Sequence, residues 1–351
     1  MSRWLPYPLA LALTCGGAAA GAQSSIFLDN SYLVRMSPAR GLLYEGRPAI
    51  PLFLYNSTDD LYAGLRDAEP RWSTRRTVLL TPEFVIRQLS EKSAASMPVR
   101  TPSFMPKLTT QYLMARRVGS RRDPARSPIS AIVVGFQGTF GHYSNGQSGC
   151  FRANEQAKSD GSGDCELNPT APLGADTLNT VDGSFSTWYF QIQSHLRFAH
   201  YRDSLLLFSA TLGAGIEWHP AFLEPIGGMD SALATVYGRQ RPFASLDLTR
   251  QTSWKCPTNF ALAWMPCGVG KLRAGVNAEY ISVHPPGIPG VATITELAWT
   301  FDRYVGFGAI VRLHRGQDYY NMALGHVLNV FQYGFTFDLE RDQPVRRGSG
   351  T

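Results

Sequence analysis

From residue 77 to residue 339 the chain keeps returning to a two-residue alternation of apolar with polar or small side chains. A strand sends successive side chains to opposite faces, so this period reads as β-structure. Residues 271–283 show it most plainly. Leu272, Ala274, Val276, Ala278 and Tyr280 alternate with Lys271, Arg273, Gly275, Asn277 and Glu279. Residues 303–314 set Val305, Phe307, Ala309, Val311 and Leu313 against Tyr304, Gly306, Gly308, Arg312 and His314. Residues 203–218 put Leu206, Phe208, Ala210, Leu212, Ala214, Ile216 and Trp218 on one face, and 327–339 do the same with Phe331, Tyr333, Phe335, Phe337 and Leu339. Further runs lie near 77–90, 104–115, 129–144, 184–199, 236–252 and 291–301, with one or two more expected within 32–64. No helical periodicity competes with them.

A soluble sandwich would bury one face of each strand in a dry core. Here one face is bare aliphatic and aromatic while the other carries Lys271, Arg273, Glu279 and Arg312. That division suits lipid outside and a polar lumen inside. Closing about 12 strands removes every edge, as a bilayer requires. The expected fold is therefore an all-β, antiparallel transmembrane β-barrel with a long disulfide-pinned extracellular loop. No run approaches the about 18 apolar residues of a membrane helix. A mean hydropathy of −0.14 agrees, because lumen-facing residues dilute the lipid-facing ones. If the last strand runs toward the periplasm, the loops 145–183, 91–103 and 315–325 all fall at the opposite, outer end.

The chain of 351 residues opens Met-Ser-Arg3, continues with Leu9–Leu13 and reaches Ala20-Gly-Ala22. This pattern reads as a signal peptide over 1–22. First strands are expected within 23–75, the barrel over 76–340 and a polar periplasmic tail over 341–351. Cys15 leaves with the leader, and Cys150 with Cys165 and Cys256 with Cys267 form two local pairs suited to disulfides in an exported chain. The net charge of +6 is modest. No nucleic-acid motif appears, and Arg116, Arg117, Arg121, Arg122 and Arg126 read as a solvated turn.

Within the run 129–144, Ile132, Val134, Phe136, Phe140, His142 and Ser144 share one face. A base and a hydroxyl nucleophile thus stand on the greasy side of a strand. The sequence continues His142-Tyr143-Ser144-Asn145-Gly146-Gln147. Upstream come Gln88-Leu89-Ser90, Ser96-Met97-Pro98-Val99-Arg100 and Phe104-Met105-Pro106-Lys107-Leu108; near the end comes Asp318-Tyr319-Tyr320-Asn321. Together these resemble the outer-membrane phospholipase A family, whose motif reads H-x-S-N-G-R and continues to S-x-S-W-N.

The resemblance implies a bacterial outer-membrane hydrolase acting on the acyl esters of membrane phospholipids. Ser144 would attack the carbonyl and His142 would take its proton. It also implies a calcium ion (Ca2+) near the oxyanion and a homodimer. Ser96 and Ser184 match family metal positions, Gln147 replaces the motif's arginine, and Asp182 is a further candidate ligand. The third triad position falls on Trp188, which cannot accept a proton from an imidazole. Ser186 on the same face, or a loop residue such as Asn179 or Asp182, is then left to orient His142. The alternatives are a catalytically silent barrel serving as a channel or structural protein, and a lipid A deacylase using the same His–Ser pair.

Overall fold

A computed structural model describes residues 27–28, 30–39, 42–58, 61, 65, 71–89, 102–118, 129–160, 165–168, 178–179, 183–202, 205–229, 231–254, 268–284, 287–301, 306–318 and 327–338. The expected leader, Ser96, Asp182, Cys256, Cys267 and the tail 341–351 lie outside the described residues.

The described chain forms a closed antiparallel barrel of 12 strands. In order these are β1 (Ser31–Ala39), β2 (Leu42–Arg47 and Leu52–Asn56), β3 (Ser73–Thr81 and Phe84–Leu89) and β4 (Ser103–Phe104 and Lys107–Val118). Then follow β5 (Ile129–Ser144), β6 (Ser186–Arg202), β7 (Leu205–Trp218), β8 (Gln240–Trp254), β9 (Gly268–Tyr280), β10 (Val291–Phe301), β11 (Phe307–Gln317) and β12 (Val327–Phe337). Each strand pairs with the next, and β1 pairs with β12 from Ser31↔Phe337 to Met36↔Gln332, which shuts the ring.

Three neighbouring strands are split where prolines interrupt them: β2 at Pro48 and Pro51, β3 at Pro82, β4 at Pro106. Proline offers no ladder donor, so the pairing must skip there. Across the breaks Ile50 N–H donates to the Pro82 carbonyl at 3.2 Å, Phe84 N–H to Pro48 at 3.2 Å and Met105 N–H to Glu83 at 2.8 Å. The result is a bent seam through β2, β3 and β4 that ends beside β5.

The two faces sort as the alternation requires. Ile192, Leu212, Phe335 and Phe136 are at least half exposed on the outer wall. Inside, the Arg87 guanidinium pairs with Asp318 and Glu45, Tyr32 O–H donates to Glu45, and Arg312 stacks over the Tyr32 ring. Farther round, Arg273 pairs with Asp247 at 2.8 Å and Arg241 with Glu279. One position reverses the sequence expectation. Leu206 faces inward, because a register shift between His200 and Tyr201 sets it opposite the inward-facing Tyr201.

Apolar clusters pack into the lumen near both ends. At the end where β12 finishes, Leu61 and Leu65 from the β2–β3 connection pack with Leu113, Val133, Tyr201 and Leu206. At the opposite end a helix, Ser231–Tyr237, lays Leu233, Val236 and Tyr237 against Tyr143, Phe185 and Tyr189. Between them lies a cavity of about 370 Å³ lined by polar and charged groups such as Gln193, Asp247, Arg273 and Glu296. The β5–β6 loop emerges at the same end as the helix. It carries a short hairpin, Glu155–Ala157 with Cys165–Leu167, fastened by the Cys150–Cys165 disulfide.

Candidate active site

β5 finishes at Ser144 and β6 begins at Ser186. The register sets Ser186 opposite Ser144, Trp188 opposite His142 and Phe190 opposite Phe140. On the other flank, Phe104 stands opposite Ser144, and the Pro106 carbonyl accepts the His142 backbone N–H at 3.0 Å. The proline seam therefore ends on the backbone of the proposed base. His142 and Ser144 are half-buried on the outer wall, and their inward-facing neighbours Gly141 and Tyr143 are buried. At Gly141 the Tyr189 ring lies so close that any Cβ would meet it at 2.5 Å, which explains a glycine there.

Asn145 ties the loop down immediately after Ser144. Its side chain is fully buried. It donates to the Gly183 carbonyl at 2.8 Å and accepts from Phe185 N–H at 2.9 Å and Gln147 N–H at 3.2 Å. Gly146 adopts φ 67°, a left-handed conformation that glycine takes without strain. This turn aims the Gly146 N–H at Ser144 Oγ, 3.2 Å away. A backbone donor thus already points at the proposed nucleophile.

The His142 ring has a different kind of neighbour. Its centroid lies 4.6 Å from that of Trp188, with the planes tilted by 51°. Phe140 stacks on Trp188 at 5.2 Å. His142 Nδ1 is buried and, among the described residues, accepts or donates no hydrogen bond, so Ser186 does not reach it in this arrangement. Asn179 donates to the Cys150 carbonyl at 3.0 Å, fixed within the loop. No bond joins Ser144 Oγ to the imidazole in these rotamers; a base and its nucleophile often tighten only around substrate.

Two of the expected metal donors are described. Gln147 and Ser184 are half-buried and supply a carboxamide and a hydroxyl, with no carboxylate between them. Among the described residues no group of three or more His, Cys, Asp or Glu gathers as a metal site. Hard cations draw affinity from charged oxygen ligands, so these donors alone suit only weak calcium binding.

A second constellation, unmarked by any sequence pattern, lies behind β6. Thr187 Oγ1 lies 3.0 Å from His219 Nδ1, and His219 Nε2 lies 3.0 Å from Glu217. The three are a hydroxyl, an imidazole and a carboxylate in series, the order of a catalytic relay. Thr187 is 0 % exposed and His219 1 %, so no substrate meets them. Their effect is to fix the β6 backbone directly beneath Trp188. Thr187 and Glu217 alternate in parity along their strands as any lumen residue does, and they are linked only through His219, just beyond the end of β7, which no periodicity marks.

No family model matches this chain, and no curated protein matches it either. Among solved structures, the outer membrane phospholipase A from Escherichia coli aligns over 88 % of this chain and 92 % of its own, at 8 % sequence identity and a TM-score of 0.38.

Proposed function

We propose that this protein is an outer-membrane hydrolase that cleaves acyl esters of phospholipids, with Ser144 as nucleophile and His142 as general base. One observation carries the reading: both side chains stand on the lipid-facing wall, two residues apart, at the end of the barrel where the long loop emerges. An ester carbonyl at the membrane boundary would reach Ser144 from the hydrocarbon side, its acyl chain lying along Phe140 and Phe190. Ser144 Oγ adds to the carbonyl as His142 takes the hydroxyl proton, and the imidazolium returns that proton to the departing alcohol. Water then repeats the sequence on the acyl-enzyme. Gly146 N–H, which rests on Ser144 Oγ, would turn to the carbonyl oxygen as that oxygen gains charge.

Calcium held by Gln147 and Ser184, when bound, would add positive charge beside that oxyanion. A homodimer remains part of the proposal and is tested by sizing the protein in detergent with and without calcium. The deciding assay uses refolded protein and phospholipid in mixed micelles. Fatty acid release should fall to background in Ser144→Ala; equal rates in both proteins reject the reading. Running lipopolysaccharide beside phospholipid separates a lipid A deacylase from a phospholipase.

A catalytically silent barrel is the second reading. The partnerless His142 Nδ1 favours it, because the usual third member of the relay is missing. Fatty acid release that never depends on Ser144 would select it.

A further inference from the structure

We infer that Trp188 is the positioning residue for His142, holding the imidazole by aromatic packing where an orienting hydrogen bond is missing. This inference rests on the ester-hydrolase reading for its catalytic consequence, but the packing itself does not. A base that accepts the Ser144 proton at Nε2 must carry its own proton on Nδ1 and must hold its ring plane toward the hydroxyl. A side chain that accepts from Nδ1 ordinarily secures both. Here Nδ1 has no partner among the described residues, and the residue opposite His142 in the register is Trp188.

Trp188 offers only an N–H, which is a donor. That donor is committed elsewhere: Nε1 donates to the Ile226 carbonyl at 2.9 Å. What Trp188 presents to His142 is its ring, 4.6 Å between centroids, with Phe140 stacked in parallel on it at 5.2 Å. The imidazole thus leans on a ring that is fixed at both ends.

The fixing reaches into the β7–β8 connection. Ile226 ends a 3-10 helix, Ala221–Ile226, that is capped by left-handed Gly227. Gly227 N–H donates to Glu224 at 3.1 Å and Gly228 N–H to Leu223 at 2.8 Å, so the Ile226 carbonyl is held by a tight turn. At Gly228 a Cβ would meet the Leu223 carbonyl carbon at 2.5 Å, which keeps that turn closed to larger residues. The next residue, Met229, is fully buried in the cluster that caps the lumen. Beneath Trp188, the Thr187–His219–Glu217 series fixes the strand from inside. The base is therefore positioned by an outer-wall tryptophan that the cap of the barrel holds in place.

The test uses full-length refolded protein as wild type, Trp188→Phe, Trp188→Ala and Ser144→Ala. Barrel folding is confirmed by heat-dependent gel mobility, and hydrolysis of phosphatidylcholine is measured in mixed micelles. Trp188→Ala should lose about tenfold to a hundredfold in kcat with KM near wild type, as expected for a displaced catalytic group. Trp188→Phe, which keeps a ring but not the bond to Ile226, should restore most of that loss. In parallel, labelled histidine spectra follow the His142 ring, assigned by its disappearance in His142→Gln. Its Cε1–H signal should be shifted by the Trp188 ring current in wild type and Trp188→Phe, and should move and broaden in Trp188→Ala. A wild-type kcat in Trp188→Ala, or a phenylalanine variant as impaired as the alanine one, overturns the inference. If wild type shows no Ser144-dependent hydrolysis, the hydrolase reading fails alone, and an unchanged His142 signal in Trp188→Ala still overturns the packing role.

Discussion

At the scale of single residues, a nucleophile needs both exposure to its substrate and a fixed backbone. Ser144 gets the first from strand parity and the second from Asn145. Replacing Ser144 by Ala should reduce fatty acid release by ~10³-fold or more, since the attacking oxygen is gone. Asn145→Ala tests the backbone half. It strips partners from buried Gly183 and Phe185, where each lost bond costs about 1–3 kcal/mol, and from half-buried Gln147. The expected outcome is low activity with Ser144 intact and faster protease cleavage of the β5–β6 loop, read on a gel. The facing of His142 and Ser144 was legible in the sequence, because period two settles a face without knowledge of partners. The parity of Trp188 was legible for the same reason. The task of Asn145 was not, since its three partners lie in a loop whose path no periodicity records.

At the scale of elements, β-strands and connections differed in how well they could be read. All ten strands expected from 77 onward are present, and β1 and β2 supply the two that the weaker 32–64 pattern left open. The proline block around Pro106 was visible as a motif, but its role appears only with Pro48 and Pro82 aligned beside it across the seam. The helix Ser231–Tyr237 spans seven residues, too few for a 3.6-residue period to stand out. The disulfide pairing followed from even cysteine count and local spacing. The Cys150–Cys165 bridge closes a separation of 15 residues, for which chain entropy gives about 3 kcal/mol. Replacing both cysteines by Ser should therefore loosen the hairpin Glu155–Leu167 alone. Protease should cut there faster while gel mobility of the folded barrel stays unchanged.

At the scale of the whole molecule, the outward wall and the capped lumen make separate statements. Ile192 is 69 % exposed on the outer wall, and its chain neighbour Gln193 lines the cavity. An arginine facing hydrocarbon costs about 2–4 kcal/mol near the bilayer centre. Ile192→Arg should destabilise the protein in lipid vesicles by that amount in urea titrations, and Gln193→Arg by much less. Equal effects would show that the outer face does not meet lipid. The capped lumen predicts no step conductance in planar bilayers, and discrete channel openings would contradict it.

The bridge between Arg87 and Asp318 joins residues 231 positions apart. Glu45 meets the same guanidinium from β2, and enclosing the cation costs less when both carboxylates are there to face it. That contact thus works as a latch: it forms only once the strands on both sides of it are in place, and a chain lacking its late ones never makes it. Truncated or stalled copies should remain open and easily digested, leaving the membrane stocked only with finished molecules.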